Sequence, residues 1–227
     1  MAAAQLTRRQ EEPEYGDAMT DQQLVAADPL LQPARLWTRA EVLARPSPVP
    51  ATPGIYARYF PPLPIAVDCR GCVEVDGRRL LYVGISPKPP PATGTAASRQ
   101  QLRSRLRQHY RGTAAGSSLR LTLASQLASE LDVQLRRVGS GRRLTFADGE
   151  PVLSGWMGRH ARVCWMAHPR PWELEQALVA RLDLPLNLDG NAHHRCYRQL
   201  RGIRAQAKAT ARALPAWTMP LPQQHGA

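Results

Sequence analysis

Apolar runs near residues 55–60, 80–85 and 161–167 predict three β-strands in this chain. The segments GIYARYF and LLYVGI, which contain the first two runs, are rich in aromatic and β-branched residues. Asp76-Gly77 predicts a turn just before the second run. We therefore expect a small central antiparallel sheet of three strands flanked by helices, in an α/β fold of the α+β type.

Apolar residues at helical spacing predict the helices that flank this sheet. Leu102, Leu106 and Tyr110 form one apolar stripe, in a helix that begins after Ser98 and ends at Gly112. The further predicted elements are a short helix that starts at a capping box over 38–41, helices over 118–131, 151–160, 171–182 and 195–214, and a hairpin of 134–138 with 142–146.

Shifts in composition divide the chain into four parts. Residues 1–36 are polar and predict a flexible lead-in with a short helix near 21–27, whereas residues 37–191 hold the elements of one domain. Residues 192–214 predict a basic C-terminal helix, and residues 215–227 a flexible tail. The N-terminus is too polar for a signal peptide, and no apolar run reaches the length of a membrane span. We expect a cytoplasmic protein without membrane contact, whose four cysteines are reduced thiols.

Positive charge is concentrated in two segments of the chain. The net charge is +12, and residues 99–143 carry +8 while residues 192–227 carry +6. A surplus of this size attracts polyanions, of which nucleic acid is the commonest. The residues that we expect to bind nucleic acid lie on two predicted helices and are Arg103, Arg107, Arg111, Arg198, Arg201, Arg204, Lys208 and Arg212.

Residues with catalytic potential accompany the predicted strands and helices. Tyr56 and Tyr82 lie on adjacent predicted strands, so that their side chains can reach one site. Arg105 and His109 are four residues apart and share a helix face, where the first supplies a cation that matches a phosphate and the second a proton donor or acceptor. Glu175, in the first turns of a later helix, is the type of hard oxygen ligand that Mg²⁺ prefers.

In order and in residue type, these positions resemble the GIY-YIG nuclease superfamily. The matching segments are GIY at 54–56, YVG at 82–84, RLRQH at 105–109 and ELEQALVARLDLPLN at 173–187. The superfamily includes phage homing endonucleases, restriction enzymes and the incision subunit of bacterial nucleotide excision repair. This chain looks like the standalone bacterial members, although its two tyrosines are further apart than is usual in the family.

The resemblance implies an activity and a role for each site residue. The protein would be an endonuclease that hydrolyses a nucleic-acid phosphodiester, DNA rather than RNA, with one Mg²⁺ or Mn²⁺ ion and no small-molecule cofactor. One of the two tyrosines would help to activate the attacking water, with His109 close by. Arg105 would stabilise charge on the phosphate, Glu175 would be the one protein ligand of the metal, and Asn187 would orient the site.

A single-site mechanism requires these residues to meet, although up to 131 positions separate them in the sequence. We therefore expect one shallow cleft that contains Tyr56, Tyr82, Arg105, His109, Glu175 and Asn187.

Other interpretations stay open at the level of sequence. The chain fits a nucleic-acid-binding protein that keeps the fold without cutting, and it fits an interaction module with a vestigial site. Cys69 and Cys72 would bind zinc only with two further ligands, such as His194 and Cys196. Residues 189–194 also suggest a second metal site. The sequence does not decide between duplex, branched and single-stranded substrates, and it does not decide the oligomeric state.

Overall fold

Antiparallel strands form the centre of the structure, a computed structural model that describes residues 25–63, 67–91 and 98–218. The strands are β1 (Gly54–Phe60), β2 (Glu74–Val75), β3 (Arg78–Ser86), β4 (Arg136–Val138), β5 (Arg143–Thr145) and β6 (Arg162–Ala167). Four of them form one sheet in the order β2-β3-β1-β6, and β4 and β5 form a separate hairpin. The central strand, β1, therefore pairs antiparallel with β3 on one side and with β6 on the other.

The main sheet has one strand more than the three that the sequence predicts. β2 pairs with the first two residues of β3 across a turn at Asp76 and Gly77, whose φ angles are 50° and 67°. A strand of two residues is too short to show an alternation of polar and apolar positions, so its pattern could not be recognised. The three longer strands lie where the apolar runs predict them.

Helices cover both faces of this sheet. They are α1 (Asp28–Leu31), α2 (Arg39–Leu43), α3 (Leu102–Arg111), α4 (Ser118–Gln126), α5 (Ala128–Leu131), α6 (Gly149–His160), α7 (Pro171–Arg181) and α8 (Tyr197–Ala213). Because α1 and α7 pack on one face and α3, α4 and α6 on the other, every residue of β1 is buried. Ile55 and Tyr59 point into the first of these cores, whereas Tyr56 and Phe60 point into the second.

A buried ion pair fixes the end of α3 to α4 and α6. Arg120 is fully buried and donates from Nη2 to Oε2 of Glu150 at 2.5 Å and from Nη1 to the carbonyl oxygen of His109 at 3.0 Å. The other carboxylate oxygen of Glu150 accepts from the backbone N–H groups of Ala114 and Phe146. A buried charge is tolerated when it is paired and hydrogen-bonded in this way, so this network holds the last turn of α3 in place.

The C-terminal helix α8 packs into the second core. Leu200 and Ala211 are fully buried, and the helix lies against α4 and β4. Beyond the helix, the backbone N–H of Trp217 donates to the carbonyl oxygen of Arg137 at 2.7 Å, next to a parallel bridge between Trp217 and Val138. The expected flexible tail begins at residue 215, but residues 215–218 follow the hairpin closely, and the rest of it, 219–227, lies outside the described residues.

Two further expectations differ from the structure. Part of the lead-in is ordered, because Leu30 of α1 is fully buried in the first core; residues 1–24, including most of the helix predicted near 21–27, lie outside the described residues. The helix predicted over 118–131 is interrupted at Leu127, which caps α4. No glycine or proline marks this break in the sequence. In the part of the chain that the structure describes, no helix is both long enough and apolar enough to cross a membrane.

Candidate active site

Two tyrosines meet where β1 pairs with β3. Tyr56 is opposite Gly84, Tyr82 is opposite Arg58, and the two tyrosine rings have their centroids 6.3 Å apart. A Cβ atom added at Gly84 would lie 2.5 Å from the hydroxyl oxygen of Tyr56. Glycine is therefore required at position 84 because the Tyr56 hydroxyl lies directly against its backbone.

The helix α3 brings a histidine and an arginine to the same tyrosine. The hydroxyl of Tyr56 lies 2.9 Å from Nε2 of His109, and both side chains are fully buried. Nη1 of Arg105 donates to Oε1 of Gln108 at 3.0 Å and to the carbonyl oxygen of Gly116 at 2.9 Å. These bonds hold the Arg105 guanidinium where it interacts with the Tyr56 hydroxyl.

Burial and nearby cations determine the protonation of this pair. Burial lowers the pKa of His109 well below its ordinary value of 6.5, and the cations of Arg58, Arg105 and Arg120 act in the same direction. Burial raises the pKa of Tyr56, while Arg105 and Arg58 oppose that rise. At neutral pH, therefore, His109 is an uncharged imidazole and Tyr56 is a phenol. A neutral Nε2 can accept the hydroxyl proton of Tyr56.

Tyr82 lies in a less favourable environment for losing a proton. Burial raises its pKa well above 10, and the charges of Tyr56 and Glu175 raise it further. Arg105 and the Ser118 side chain oppose this rise. Each tyrosine thus has two arginines nearby, Arg105 and Arg58 for Tyr56 and Arg105 and Arg204 for Tyr82. The two differ in that, among the described contacts, the hydrogen bond to His109 is made by Tyr56.

A half-buried carboxylate lies on the helix α7, close enough to Tyr56, Tyr82 and Arg105 to interact with them. Burial raises the pKa of Glu175 to about 7, Lys88 and Arg105 lower it, and the neighbouring Asp189 raises it. Burial by itself would lower the pKa of Arg105. The interactions with Tyr56, Tyr82 and Glu175 have the larger effect, so the pKa of Arg105 is raised.

Asn187 lies behind β3. Its Oδ1 accepts from the backbone N–H of Val83 and its Nδ2 donates to the backbone carbonyl of Val83, both at 2.9 Å. The side chain thus binds the residue between Tyr82 and Gly84 and fixes the position of that strand segment. Asn191 supports the loop by donating to the carbonyl oxygens of Leu184 and Asn187.

The structure brings the six sequence-predicted residues into one neighbourhood, but four of them are buried rather than exposed in the shallow cleft that we expected. Tyr56 and His109 have no exposed surface, and Tyr82 and Asn187 are 7% and 6% exposed. Arg105 and Glu175 are half-buried and reach the surface. The difference arises because Tyr56 lies in the core to which α3, α4 and α6 contribute, with α3 directly against β1.

The predicted nucleic-acid-binding residues fall into two groups. On α3, Arg103 donates from Nε to the carbonyl oxygen of Val49 at 2.7 Å, Arg107 is half-buried and Arg111 is exposed. On α8, Arg198 is exposed, and the other four cations share a pocket of about 420 Å³ with Asp189. Those four are Arg201, Arg204, Lys208 and Arg212.

The α8 pocket adjoins Tyr82 and the carboxylates of Asp189 and Glu175. Arg204 interacts with both Asp189 and Tyr82, and Asp189 in turn interacts with Glu175. Burial, followed by the repulsion of Arg204, Arg212 and Arg201, lowers the pKa of Lys208. The pocket is therefore a region of concentrated positive charge next to Glu175.

The model of the GIY-YIG catalytic domain matches residues 54–206, which is more than half of the chain. The chain belongs to the GIY-YIG family. This match begins at the first residue of β1 and ends within α8, so the GIY-YIG domain of this protein includes the neighbourhood of Tyr56, Tyr82 and Glu175. No curated protein and no solved structure matches the chain.

Sequence reasoning missed several residues of this GIY-YIG site. Arg58 lies beside Tyr56 within an otherwise apolar strand, and this isolated charge was the signal that could have identified it. Ser118 and Lys88 interact with Tyr82 and Glu175 respectively. Nothing local in the sequence distinguishes these two residues from ordinary surface residues.

Within the described ranges, no group of three His, Cys, Asp or Glu side chains is arranged to hold a metal ion. The four cysteines are free thiols, and Cys69 and Cys72 are half-buried in a turn. Nε2 of His194 bonds Oδ1 of Asp183 at 2.5 Å, and Arg195 bonds the other oxygen of that carboxylate. In the structure His194 is therefore part of an ion-pair network.

Proposed function

We propose that this GIY-YIG protein is an endonuclease that hydrolyses phosphodiester bonds of nucleic acid, DNA rather than RNA, with the help of one divalent metal ion. The observation that carries the proposal is the meeting of a buried tyrosine–histidine pair, an arginine and a half-buried carboxylate around β1 and β3. Hydrolysis needs a proton acceptor for the attacking water, fixed positive charge for the phosphate, and a ligand for a Lewis acid.

The proton acceptor in this proposal is Tyr56 rather than Tyr82. Tyr56 has a neutral histidine that can accept a hydrogen bond from its hydroxyl, and two arginines that favour loss of the hydroxyl proton. Among the described contacts, Tyr82 makes no hydrogen bond to His109. Arg105 would bind the phosphate, because a guanidinium has a fork of donors that matches two phosphate oxygens.

The residues around Glu175 fit a hard divalent cation such as Mg²⁺ or Mn²⁺. Glu175 is desolvated, which disfavours its charged form until a cation is present, and Asp189 adds a second carboxylate nearby. Such ions take carboxylate oxygens and complete their coordination with water and substrate phosphate. When bound, the ion would polarise the phosphodiester and neutralise charge on its oxygens.

The α8 pocket supports the choice of nucleic acid as substrate. Its four cations form none of the described ion pairs, so they are available to phosphate groups. Together with the exposed Arg111 and Arg198 they would hold a strand on either side of Glu175.

The burial of the tyrosine–histidine pair favours a second candidate function. A proton acceptor without exposed surface reaches a water only if the site opens, and a protein that binds nucleic acid without cutting it would not need that opening. The two functions differ in a single measurable property, which is metal-dependent strand cleavage.

The deciding experiment uses end-labelled duplex, branched and single-stranded DNA, with RNA as a fourth substrate, each in Mg²⁺, Mn²⁺ or EDTA. The endonuclease proposal expects cleavage with either metal and none in EDTA. Glu175→Gln should abolish cleavage but keep binding, whereas Glu173→Gln, on the exposed side of the same helix, should cut normally. Binding without cleavage of any substrate would establish the second function instead.

A further inference from the structure

Arg58 is a buried cation without a hydrogen-bond partner. It lies in the middle of β1, its side chain has no exposed surface, and none of its three guanidinium nitrogens has a hydrogen-bond partner among the described residues. It forms none of the described ion pairs, which all involve other residues. An arginine keeps its charge in proteins, and a buried charge without a counter-charge is strongly disfavoured. Such a residue needs a physical explanation.

Aromatic rings line the space around this cation. The Arg58 guanidinium carbon lies 4.2 Å from the ring centroid of Tyr110, within the range of a cation–π contact, and 5.9 Å from that of Tyr56. Cation–π contacts offset only a part of the cost of burying a charge. Two further buried polar atoms nearby on α3, Nδ1 of His109 and the hydroxyl of Tyr110, also lack a partner.

The charged and titratable groups that face Tyr56 come from every element packed around it. They are Arg58 on β1 itself, Tyr82 on β3, Arg105 and His109 on α3, and Glu175 on α7. His109 is held uncharged by its burial and by three arginines. Two other tyrosines also lie close to Arg58, which stands over the ring of Tyr110 and opposite Tyr82 in the sheet. Of the three, Tyr56 is the one whose hydroxyl contacts the His109 imidazole among the described residues, so we take it as the group that ionises.

We propose that Arg58 is a positioning residue that acts through Tyr56, because its buried charge stabilises the phenolate that Tyr56 forms during the reaction. The inference rests on the proposed function and adds a residue to it. In the step concerned, the O–H bond of Tyr56 breaks and one proton leaves the Tyr56–His109 pair for solvent. The phenolate then accepts a proton from the attacking water, so the tyrosine regains its O–H bond. The hydroxide oxygen bonds to phosphorus while the bond from phosphorus to the leaving oxygen breaks, and that oxygen takes one proton from solvent.

This role explains why the cation is tolerated without a resident carboxylate. A carboxylate beside Arg58 would neutralise it permanently and would repel a phenolate at Tyr56. Because the arginine has no counter-ion, the phenolate of Tyr56 becomes its counter-charge when it forms, and the attraction between them stabilises the phenolate. Arg58 does not touch substrate in this scheme, so it is distinct from Arg105.

The test measures ionisation of Tyr56 directly and does not depend on cleavage. Tyrosine labelled with ¹³C at Cζ gives one NMR signal for each tyrosine, and Tyr56→Phe identifies the signal of Tyr56. We expect the ionisation midpoint of Tyr56 to rise by about one pH unit or more in Arg58→Met, which is about a tenfold change in the equilibrium. Arg58→Lys keeps the charge, so its Tyr56 midpoint should lie close to that of the wild type.

A matched control removes one positive charge elsewhere. Arg142→Met, in the exposed turn of the β4–β5 hairpin, should leave the Tyr56 midpoint unchanged. A midpoint in Arg58→Met equal to that of the wild type, or a Tyr56 that never ionises while the wild-type protein is folded, would overturn the inference. If Arg58→Met does not fold, Arg58→Gln and Arg58→Lys give the same comparison.

The rate of cleavage provides the link to function. If the protein cuts, the rising limb of its pH–rate profile should move to higher pH in Arg58→Met and return in Arg58→Lys. A lower rate with an unmoved profile would show that Arg58 is only structural. If the protein does not cut, the NMR titration still tests the effect of Arg58 on Tyr56. Failure of the proposed function can therefore be distinguished from failure of this inference.

Discussion

Asn187 binds Val83 by two hydrogen bonds of 2.9 Å, one from each end of its side-chain amide to the two backbone polar groups of a single residue. The open edge of β3 therefore has a side chain in the place of a neighbouring strand. The backbone N–H of Leu186 adds a third bond, to the carbonyl of Leu81 at 3.0 Å. Residues 82–84 are held in position by the loop after α7 rather than by the sheet alone.

Replacing Asn187 by alanine should lower the free energy of unfolding by about 2–4 kcal/mol, because two buried backbone groups lose their partners. We also expect loss of cleavage at temperatures where the variant is folded, because Tyr82 and Gly84 lose their support. Thermal unfolding and cleavage assays check the two effects. Leu200→Ala is the control: it should destabilise comparably by opening a cavity under α8, yet keep activity. Equal activity in both variants would contradict this role of Asn187.

Gly84→Ala should disable the tyrosine–histidine pair. The added Cβ would lie 2.5 Å from the hydroxyl oxygen of Tyr56 and 2.7 Å from Cζ, so the ring has to move away from His109. We expect a loss of cleavage of about 100-fold or more, in the range of losing a general acid–base group, with nucleic-acid binding retained.

Gly202→Ala is the matched control, because a Cβ at that exposed position of α8 meets nothing within 4 Å. It should keep activity and raise stability by about 0.5–1 kcal/mol, since alanine is the better helix former. Wild-type cleavage by Gly84→Ala would show that the distance between Tyr56 and His109 does not matter for the reaction.

Glu175 should make the stability of the metal-free protein depend on pH. Its pKa of about 7 in the folded protein is above the ordinary value of 4.5, so between these values the folded protein binds more protons than the unfolded chain. The stabilising effect of protonated Glu175 is present below about pH 4.5 and is lost as the pH rises through about 7. In Glu175→Gln, this pH-dependent loss of unfolding free energy should be smaller by about 1–2 kcal/mol, a figure that allows for the partial exposure of Glu175.

Calorimetry between pH 4 and pH 8 checks this expectation, with Glu173→Gln as the control. Mg²⁺ should restore wild-type stability above pH 7 and should have no such effect on Glu175→Gln, because the ion favours the ionised carboxylate. The same reasoning predicts tighter metal binding at pH 8 than at pH 6. A pH profile of stability that is identical in Glu175→Gln and wild type would remove the basis for this assignment.

The α8 pocket should account for part of the salt dependence of nucleic-acid binding. Each of Arg201→Gln, Arg204→Gln and Lys208→Gln should decrease the slope of log affinity against log salt concentration by about one, because each removes one phosphate contact. Arg142→Gln, away from the pocket, should leave the slope unchanged. Fluorescence anisotropy over a range of salt concentrations measures these slopes. Equal slopes in all four variants would exclude α8 from the binding surface.

The sequence predicts the three long strands because each is an apolar run bounded by turn residues, and it predicts α3 because its apolar stripe and its end at Gly112 agree. It does not predict β2, which is too short to have a pattern, or the break at Leu127, where no helix-breaking residue is present. Leu30 is held in the core by residues that are distant in the sequence, so the local sequence does not predict that this part of the lead-in is ordered.

For the site, the order of motifs identifies Tyr56, Tyr82 and Glu175, but it does not reveal how deeply they are buried. Burial depends on packing between elements that are distant in the sequence, such as α3 against β1 and β3. The pairing of Tyr56 with His109 likewise joins positions 53 residues apart. Residue types can therefore be predicted from the sequence, whereas protonation and accessibility follow only from the packing.

The packing of α8 has a consequence for how this protein can be divided. The helix that carries the cations of the pocket also supplies Leu200 and Ala211 to the core, and the chain continues to the hairpin contact of Trp217. A fragment that stops at residue 191 would leave that core open to water, so its loss of affinity would report unfolding as much as lost charge. The smallest unit that can be transferred in a fusion or a domain exchange therefore extends to Trp217, and α8 cannot be exchanged independently of the fold.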